Sequence, residues 1–146
     1  MPDMPETILA FDFGRRRIGI AVGQQITGSA SPLGVVNNGE SGPDWPEIEK
    51  ILNEWQPARL IVGMPANTDG SRAEITDYVD RFIADLGRFE RPVHTIDERY
   101  TSLEAEELLK SERSRGLRGR IRKETIDSAA AVLIAERWLR KASGSG

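Results

Sequence analysis

The chain has 146 residues, 38% of them hydrophobic and 29% charged, and a net charge of −3. Such a chain is long enough for one soluble globular domain with a proper core, and it contains no apolar run long enough to cross a bilayer. It has no cysteine and one histidine, His94, which excludes disulfides, thiolate or multi-histidine metal sites and a cysteine nucleophile, so hydrolytic chemistry must lean on carboxylates.

Residues Met1 to Glu6 are polar and broken by two prolines. With neither a basic start nor an apolar signal core, the expected location is the cytoplasm. The run from Thr7 then reads as a strand, apolar until Asp12 at its end. By period two, Ile8, Ala10 and Asp12 share one face, and Leu9, Phe11 and Phe13 the other. Gly14 allows a turn with positive φ. Arg15, Arg16 and Arg17 follow at once. Ile18 to Val22 is a second strand, interleaved with Gly19, Ala21 and Gly23. That small-residue face permits close packing or the close approach of a ligand. Taken alone, Asp12 reads equally as a turn-forming residue capping a hairpin.

Ser29 to Asn37 suits a third, weaker strand, placed at an edge by Pro32 and Gly34. Asn38 to Pro43 has loop composition. Asp44 opens a helix with Pro46 in its first turn, and Ile48, Ile51, Leu52 and Trp55 recur at helical spacing until Pro57. Arg59 to Met64 reads as a buried strand that opens into the loop Pro65 to Ser71. A helix over about Arg72 to Leu86 follows, stopped by Gly87. Pro92 to Ile96 is another strand, with Asp97-Glu98-Arg99-Tyr100-Thr101-Ser102 at its end. Ser102 can cap a further helix through Leu108 and Leu109. From Lys110 to Lys123 seven basic residues face one acid, Glu112, a local charge of +6 (7 − 1). The last helix spans about Glu124 to Lys141, leaving 142–146, like 1–6, as flexible ends of a single domain.

The order β-β-β-α-β-α-β-α-α describes an α/β fold with a mixed five-stranded sheet and helices on both faces. In such sheets chemistry gathers at the carboxyl ends of the strands. Asp12 and Glu98 stand at those ends. Asp127 begins a helical stripe continued by Ala130, Ala131, Ile134 and Trp138. Each acid also has a plain structural use. Glu98 can pair with Arg99 or Arg91 at the surface, and Asp127 can answer the helix dipole. Brought together, the three would repel one another. A hard divalent cation with oxygen ligands removes that repulsion, and two such ions can serve phosphodiester hydrolysis.

Four segments in this order carry a family likeness. They are Leu9-Ala10-Phe11-Asp12-Phe13-Gly14 with Arg17 to Val22; Ile61-Val62-Gly63-Met64-Pro65 with Asn67 and Asp69-Gly70-Ser71; Asp97 to Ser102; and Ile126-Asp127-Ser128-Ala129-Ala130-Ala131. With them the chain resembles the YqgF-type, Holliday-junction-resolvase-like nucleases of the ribonuclease H-like superfamily, also described as pre-16S ribosomal RNA nucleases. The likeness runs from Thr7 to about Leu139. It implies a ribonuclease H-like fold, catalytic metal-binding acids at Asp12, Glu98 and Asp127, and Mg²⁺ or Mn²⁺ as the metal. It also implies phosphodiester hydrolysis, with ribosomal RNA precursor favoured over branched DNA as substrate. The chain departs from many members in having Gly23-Gln24 where they carry Ser-Asp, and in an arginine-rich basic segment.

Other residues are assigned from their chemistry. Arg15, Arg16 and Arg17 lie beside Asp12 and suit phosphate oxygens. Arg99 suits a bidentate phosphate clamp, or an ion pair orienting Asp97. Asn67 and Ser71 suit backbone contact or capping in equal measure. Arg115, Arg118, Arg120, Arg122 and Lys123 belong to the basic segment that would track a polyanion. An actin-like phosphotransferase needs a second lobe for which 146 residues leave no room. A catalytically idle nucleic-acid-binding module of the same fold is the remaining rival. Oligomeric state, monomer or homodimer, is not legible.

Overall fold

The computed structural model describes residues 6–40, 42–64, 75–97 and 123–144. Six strands and three helices are formed among them: β1 Thr7–Phe13, β2 Arg17–Gln24, β3 Ser29–Gly39, β4 Gly42–Pro43, α1 Trp45–Trp55, β5 Arg59–Met64, α2 Thr76–Leu86, β6 Val93–Asp97 and α3 Lys123–Gly144. They make one sheet in the order β4-β3-β2-β1-β5-β6. β1 to β4 form an antiparallel meander, whereas β5 runs parallel to β1 and β6 parallel to β5. The expected mixed sheet is present, but with six strands and not five.

The sixth strand arises where loop composition had pointed to a turn. β3 continues to Gly39, and Gly42, at φ +90°, reverses the chain so that Pro43 pairs with Asn38 and Gly42 with Gly39. Asn38 is a buried polar residue that composition alone marks as loop. Its Nδ2 donates to Gly14 O at 2.6 Å and its backbone N–H to Arg16 O at 2.8 Å, so its polarity is satisfied within the fold. Pro32 and the positive φ of Gly34 mark an irregularity in the β2–β3 pairing, but β3 is not the edge strand expected, because β4 pairs with its end at Asn38 and Gly39.

The alternation along β1 separates two cores. Leu9, Phe11 and Phe13 face α1 and α2, where they join Ile48, Leu52, Val79, Phe82 and Leu86. Phe82 is the hub of the aromatic contacts on this face, edge-on to Phe11 at 5.6 Å and stacked on Trp45 at 5.5 Å. Burial of these rings together with the aliphatic side chains around them stabilises this side. Trp45 precedes the expected helical stripe, yet it packs there with Trp55. Asp44 caps α1 by accepting from the Glu47 N–H at 3.3 Å, and Gln56 ends it in a left-handed conformation.

On the other face Ile8 and Ala10 meet Ile61, Ile96, Ile134, Ala135 and Leu139. Small residues make this contact close. Ala10 pairs with Ala21 across β1–β2, Ile8 with Gly23, and α3 contributes the buried alanines Ala130, Ala131 and Ala135. A Cβ built on Gly23 would lie 2.9 Å from Ile8 Cγ1 and 3.2 Å from Leu139 Cδ1. Glycine there lets helix and sheet approach, which is the packing use of the small-residue face. α3 also runs past Lys141 to Gly144.

Candidate active site

The parallel register puts three strand ends on one edge. Phe11 is level with Val62 and Met64 with Asp97, so the carboxyl ends of β1, β5 and β6 lie side by side. With β5 between them, β1 and β6 are about 10 Å apart. Asp12 is the penultimate residue of β1, half-buried, on the face that packs against α3. Its cross-strand partner is Gly19, which offers no side chain to cover it. The result is a carboxylate at the rim of an apolar face, reached by solvent and backed by packed aliphatic groups.

The turn that follows Asp12 is held by hydrogen bonds. Gly14 N–H donates to Arg17 O at 2.9 Å, and the two Asn38 bonds fix Gly14 and Arg16 from β3. Gly14 does not use the positive φ that a glycine allows. Glycine is needed there for a different reason: a Cβ would fall 2.6 Å from Arg17 O. Asn38 is thus a positioning residue that sequence reasoning missed, because an Asn before Gly reads as turn composition and its partner lies 24 residues away.

The turn places its arginines differently from one another. Arg15 and Arg16 are exposed and line a cleft on the α1/α2 side, and Arg15 lies over the Tyr78 ring at 5.4 Å. They therefore stand across the end of β1 from the face that Asp12 shares with α3. Arg17 is half-buried and opens β2.

The other expected site residues fall at or beyond the limits of the described chain. Glu98 follows directly on Asp97, the last residue of β6, and is outside the described residues, as are Arg99, Asn67, Ser71, Arg115, Arg118, Arg120 and Arg122. Lys123 and Asp127 belong to the first turns of α3, but their side chains are not among those described. Among the described residues no three His, Asp or Glu side chains cluster as a metal centre. Asp12 is the described member of the expected set. A carboxylate at a sheet's carboxyl edge is the oxygen donor that a hard divalent cation takes.

Two groups are committed elsewhere. His94 is engaged at the amino side of the sheet, with Arg59 Nη1 3.0 Å from its Nε2 and the Trp138 ring stacked at 4.5 Å. Arg59 is itself paired with Glu6 at 2.8 Å. Arg91, one of the partners considered for Glu98, donates to Pro57 O at 2.8 Å before β6 begins. Near the other end of β6, Arg137 of α3 donates to Asp97 O at 3.0 Å, tying helix to strand at the edge that carries Asp12.

Known proteins share this fold. Among solved structures the fold is similar to Thermus thermophilus RuvC in complex with a Holliday junction substrate, at a TM-score of 0.57 and 16% identity, covering 95% of this chain and 97% of that one. It is also similar to the yeast mitochondrial Holliday junction resolvase Ydc2, at a TM-score of 0.56 and 12% identity, over 93% and 78% of the two chains. Sequence relatives are much nearer. A protein of Azotobacter vinelandii that carries the name pre-16S rRNA nuclease is 43% identical over 136 residues, 92% of this chain and 94% of its own length. One of the same name from Edwardsiella ictaluri is 45% identical over 135 residues, again 92% and 94%. The model of the RuvX family, described as Holliday junction resolvase, matches residues 6–141, and with a mixed sheet of the RuvC type and relatives of near-equal length the chain belongs to that family.

Proposed function

We propose that the chain is a divalent-metal-dependent nuclease that hydrolyses phosphodiester bonds at the 5' end of the pre-16S ribosomal RNA, in the cytoplasm. The observation that carries this is Asp12. It is a half-buried carboxylate at the carboxyl edge of β1, on the face covered by α3, in a chain whose near relatives are named for that activity. Glu98 is the next residue after the strand end on the same edge.

The lengths of strand and helix support Asp127 as the third acid. Leu139 packs at Ile8 and Gly23. Asp127 precedes Leu139 by 12 residues (139 − 127), about 18 Å of helix. Asp12 lies four residues beyond Ile8, about 13 Å of strand. A helix running antiparallel to β1 carries Asp127 toward the Asp12 edge; a parallel one carries it away. We take α3 to be antiparallel.

In this reading Asp12, Glu98 and Asp127 hold Mg²⁺ or Mn²⁺, which when bound supplies an activated water and charge neutralisation at the leaving oxygen. No histidine takes part, since His94 is engaged with Arg59 and Trp138. Arg99 would hold a phosphate by its fork of donors. Arg17, Asn67 and Ser71 would orient the backbone. Arg115, Arg118, Arg120, Arg122 and Lys123 would track the polyanion.

The family description and the RuvC likeness favour a second reading, resolution of branched DNA. Cutting two strands of a junction favours a symmetric pair of protomers. The test is cleavage of a precursor ribosomal RNA fragment and a four-way DNA junction, side by side, with Mg²⁺, with Mn²⁺ and with EDTA. Asp12→Asn should abolish metal-dependent cleavage and leave RNA affinity within about twofold, because the substitution is isosteric. Equal cleavage by both proteins would trace the activity to a contaminant. An inert wild type would leave a binding module.

A further inference from the structure

Beyond the acidic edge, the turn after β1 contributes to a cleft that the chemistry above does not use. It has a volume of about 650 Å³ and is lined by Phe13, Arg15, Arg16, Trp45, Tyr78 and Arg81, with the acids Glu40 and Asp85 also in its lining. That volume lies within the range of about 300–1,000 Å³ common to small-molecule sites. Tyr78 is 56% exposed, one of only two large hydrophobic side chains so exposed among the described residues. Arg15 lies over its ring at 5.4 Å. Trp45 is a wall and not a platform, since it stacks on Phe82 at 5.5 Å and carries Arg88 over its ring at 4.3 Å.

We propose that this cleft is a subsite for one unpaired nucleotide beside the scissile phosphate, its base stacked on Tyr78 and its phosphate held by Arg15, Arg16 and Arg81. Three features carry the assignment. An exposed ring next to arginines is the combination that binds single strands without sequence readout. Glu40 and Asp85 can accept from the exocyclic amines of a base, whereas they would repel an acidic peptide. Phe13 lines the cleft and Asp12 is its chain neighbour, pointing to the opposite face. A strand of nucleic acid crossing the end of β1 at Asp12 therefore reaches the cleft with an adjoining nucleotide. A base paired in a duplex cannot enter it, so the cut falls in a single-stranded region.

This rests on the nuclease reading for its place beside the cut, and the test separates the two. A short single-stranded RNA carrying a fluorescent adenine analogue at successive positions is titrated with the full chain in EDTA, and the same RNA is annealed to its complement as control. Stacking should quench the analogue at one position in the single strand and at none in the duplex. Tyr78→Ala should remove that quench and weaken binding about 5- to 150-fold. Tyr78→Phe should keep both. With Mg²⁺, Tyr78→Ala should raise KM with less change in kcat. Both variants alter an exposed side chain, and thermal melts matching wild type confirm that folding is not at issue. If Tyr78→Ala binds and quenches as wild type does while Asp12-dependent cleavage persists, the cleft assignment is overturned and the nuclease reading stands. If quenching depends on Tyr78 but no RNA is cut, the subsite stands and the nuclease reading fails. Equal quenching of duplex, or displacement of the RNA by poly-glutamate at matched charge, overturns the assignment to an unpaired nucleotide.

Discussion

Gly23→Ala probes the seat of α3 on the sheet, on which the proposed approach of Asp127 to Asp12 rests. The added methyl would meet Ile8 Cγ1 at 2.9 Å, Ile8 Cδ1 at 3.1 Å and Leu139 Cδ1 at 3.2 Å. The first of these is closer than real Cβ atoms approach, and Ile8 Cγ1 is the inner part of a β-branched side chain 1% exposed. Neither neighbour can swing away into solvent, so helix and strand must part by some tenths of an ångström. Overpacking of this kind costs about 1–3 kcal/mol. For a chain of this size that lowers Tm by about 3–10 °C. Thermal melts followed by far-ultraviolet circular dichroism measure it. A double-mutant cycle with Ile8→Ala assigns the cause. Ile8→Ala is itself destabilising, by about 2–5 kcal/mol, but it removes the two nearest obstructing atoms and leaves Leu139 Cδ1. Gly23→Ala should then cost at least about 1 kcal/mol less in that background than in wild type. With Asp127 of α3 as the proposed third acid, kcat for RNA cleavage should also fall, on the order of tenfold, as the proposed catalytic groups lose alignment. A Gly23→Ala protein that melts and cleaves as wild type does would refute the close seat of α3. An equal cost in both backgrounds would refute the steric explanation.

Two other outcomes follow from the turn after β1 and from the basic segment. Asn38→Ala removes the 2.6 Å bond to Gly14 O and leaves a shielded carbonyl unsatisfied; unfolding by urea should show a loss of about 1–3 kcal/mol, and RNA affinity should drop as the turn carrying Arg15 and Arg16 loosens. Replacing Arg118, Arg120 and Arg122 together with Ala should weaken RNA binding and reduce the slope of log affinity against log salt by about 2, at roughly 0.7 per phosphate contact on a single strand. An unchanged slope removes that segment from the interface.

Much of this protein was legible along the chain because its signals are local. The alternation in Ile8-Leu9-Ala10-Phe11-Asp12 assigns Asp12 to the face of Ile8 and Ala10, and the structure puts α3 on that face. The glycines and alanines of β2 announce a close contact, and the helical spacing of Ile48 and Leu52 announces the buried stripe of α1. Those patterns follow from the periods of strand and helix, which tertiary context seldom reverses. What the chain order could not supply were contacts between distant residues. Asn38 looked like a turn residue until its side chain was found holding Gly14. The β3–β4 pairing depends on Gly42 reversing the chain, which composition reads as loop. The arginines after Asp12 were grouped with it by adjacency, yet Arg15 and Arg16 line the opposite side of β1's end, because neighbouring positions near a strand's end need not share a face. Sequence by itself determined which residues could carry the chemistry. Only the folded sheet decided that Asp12 serves one of its faces and Arg15 and Arg16 the other, since facing depends on which helix covers which side, and no local pattern encodes that.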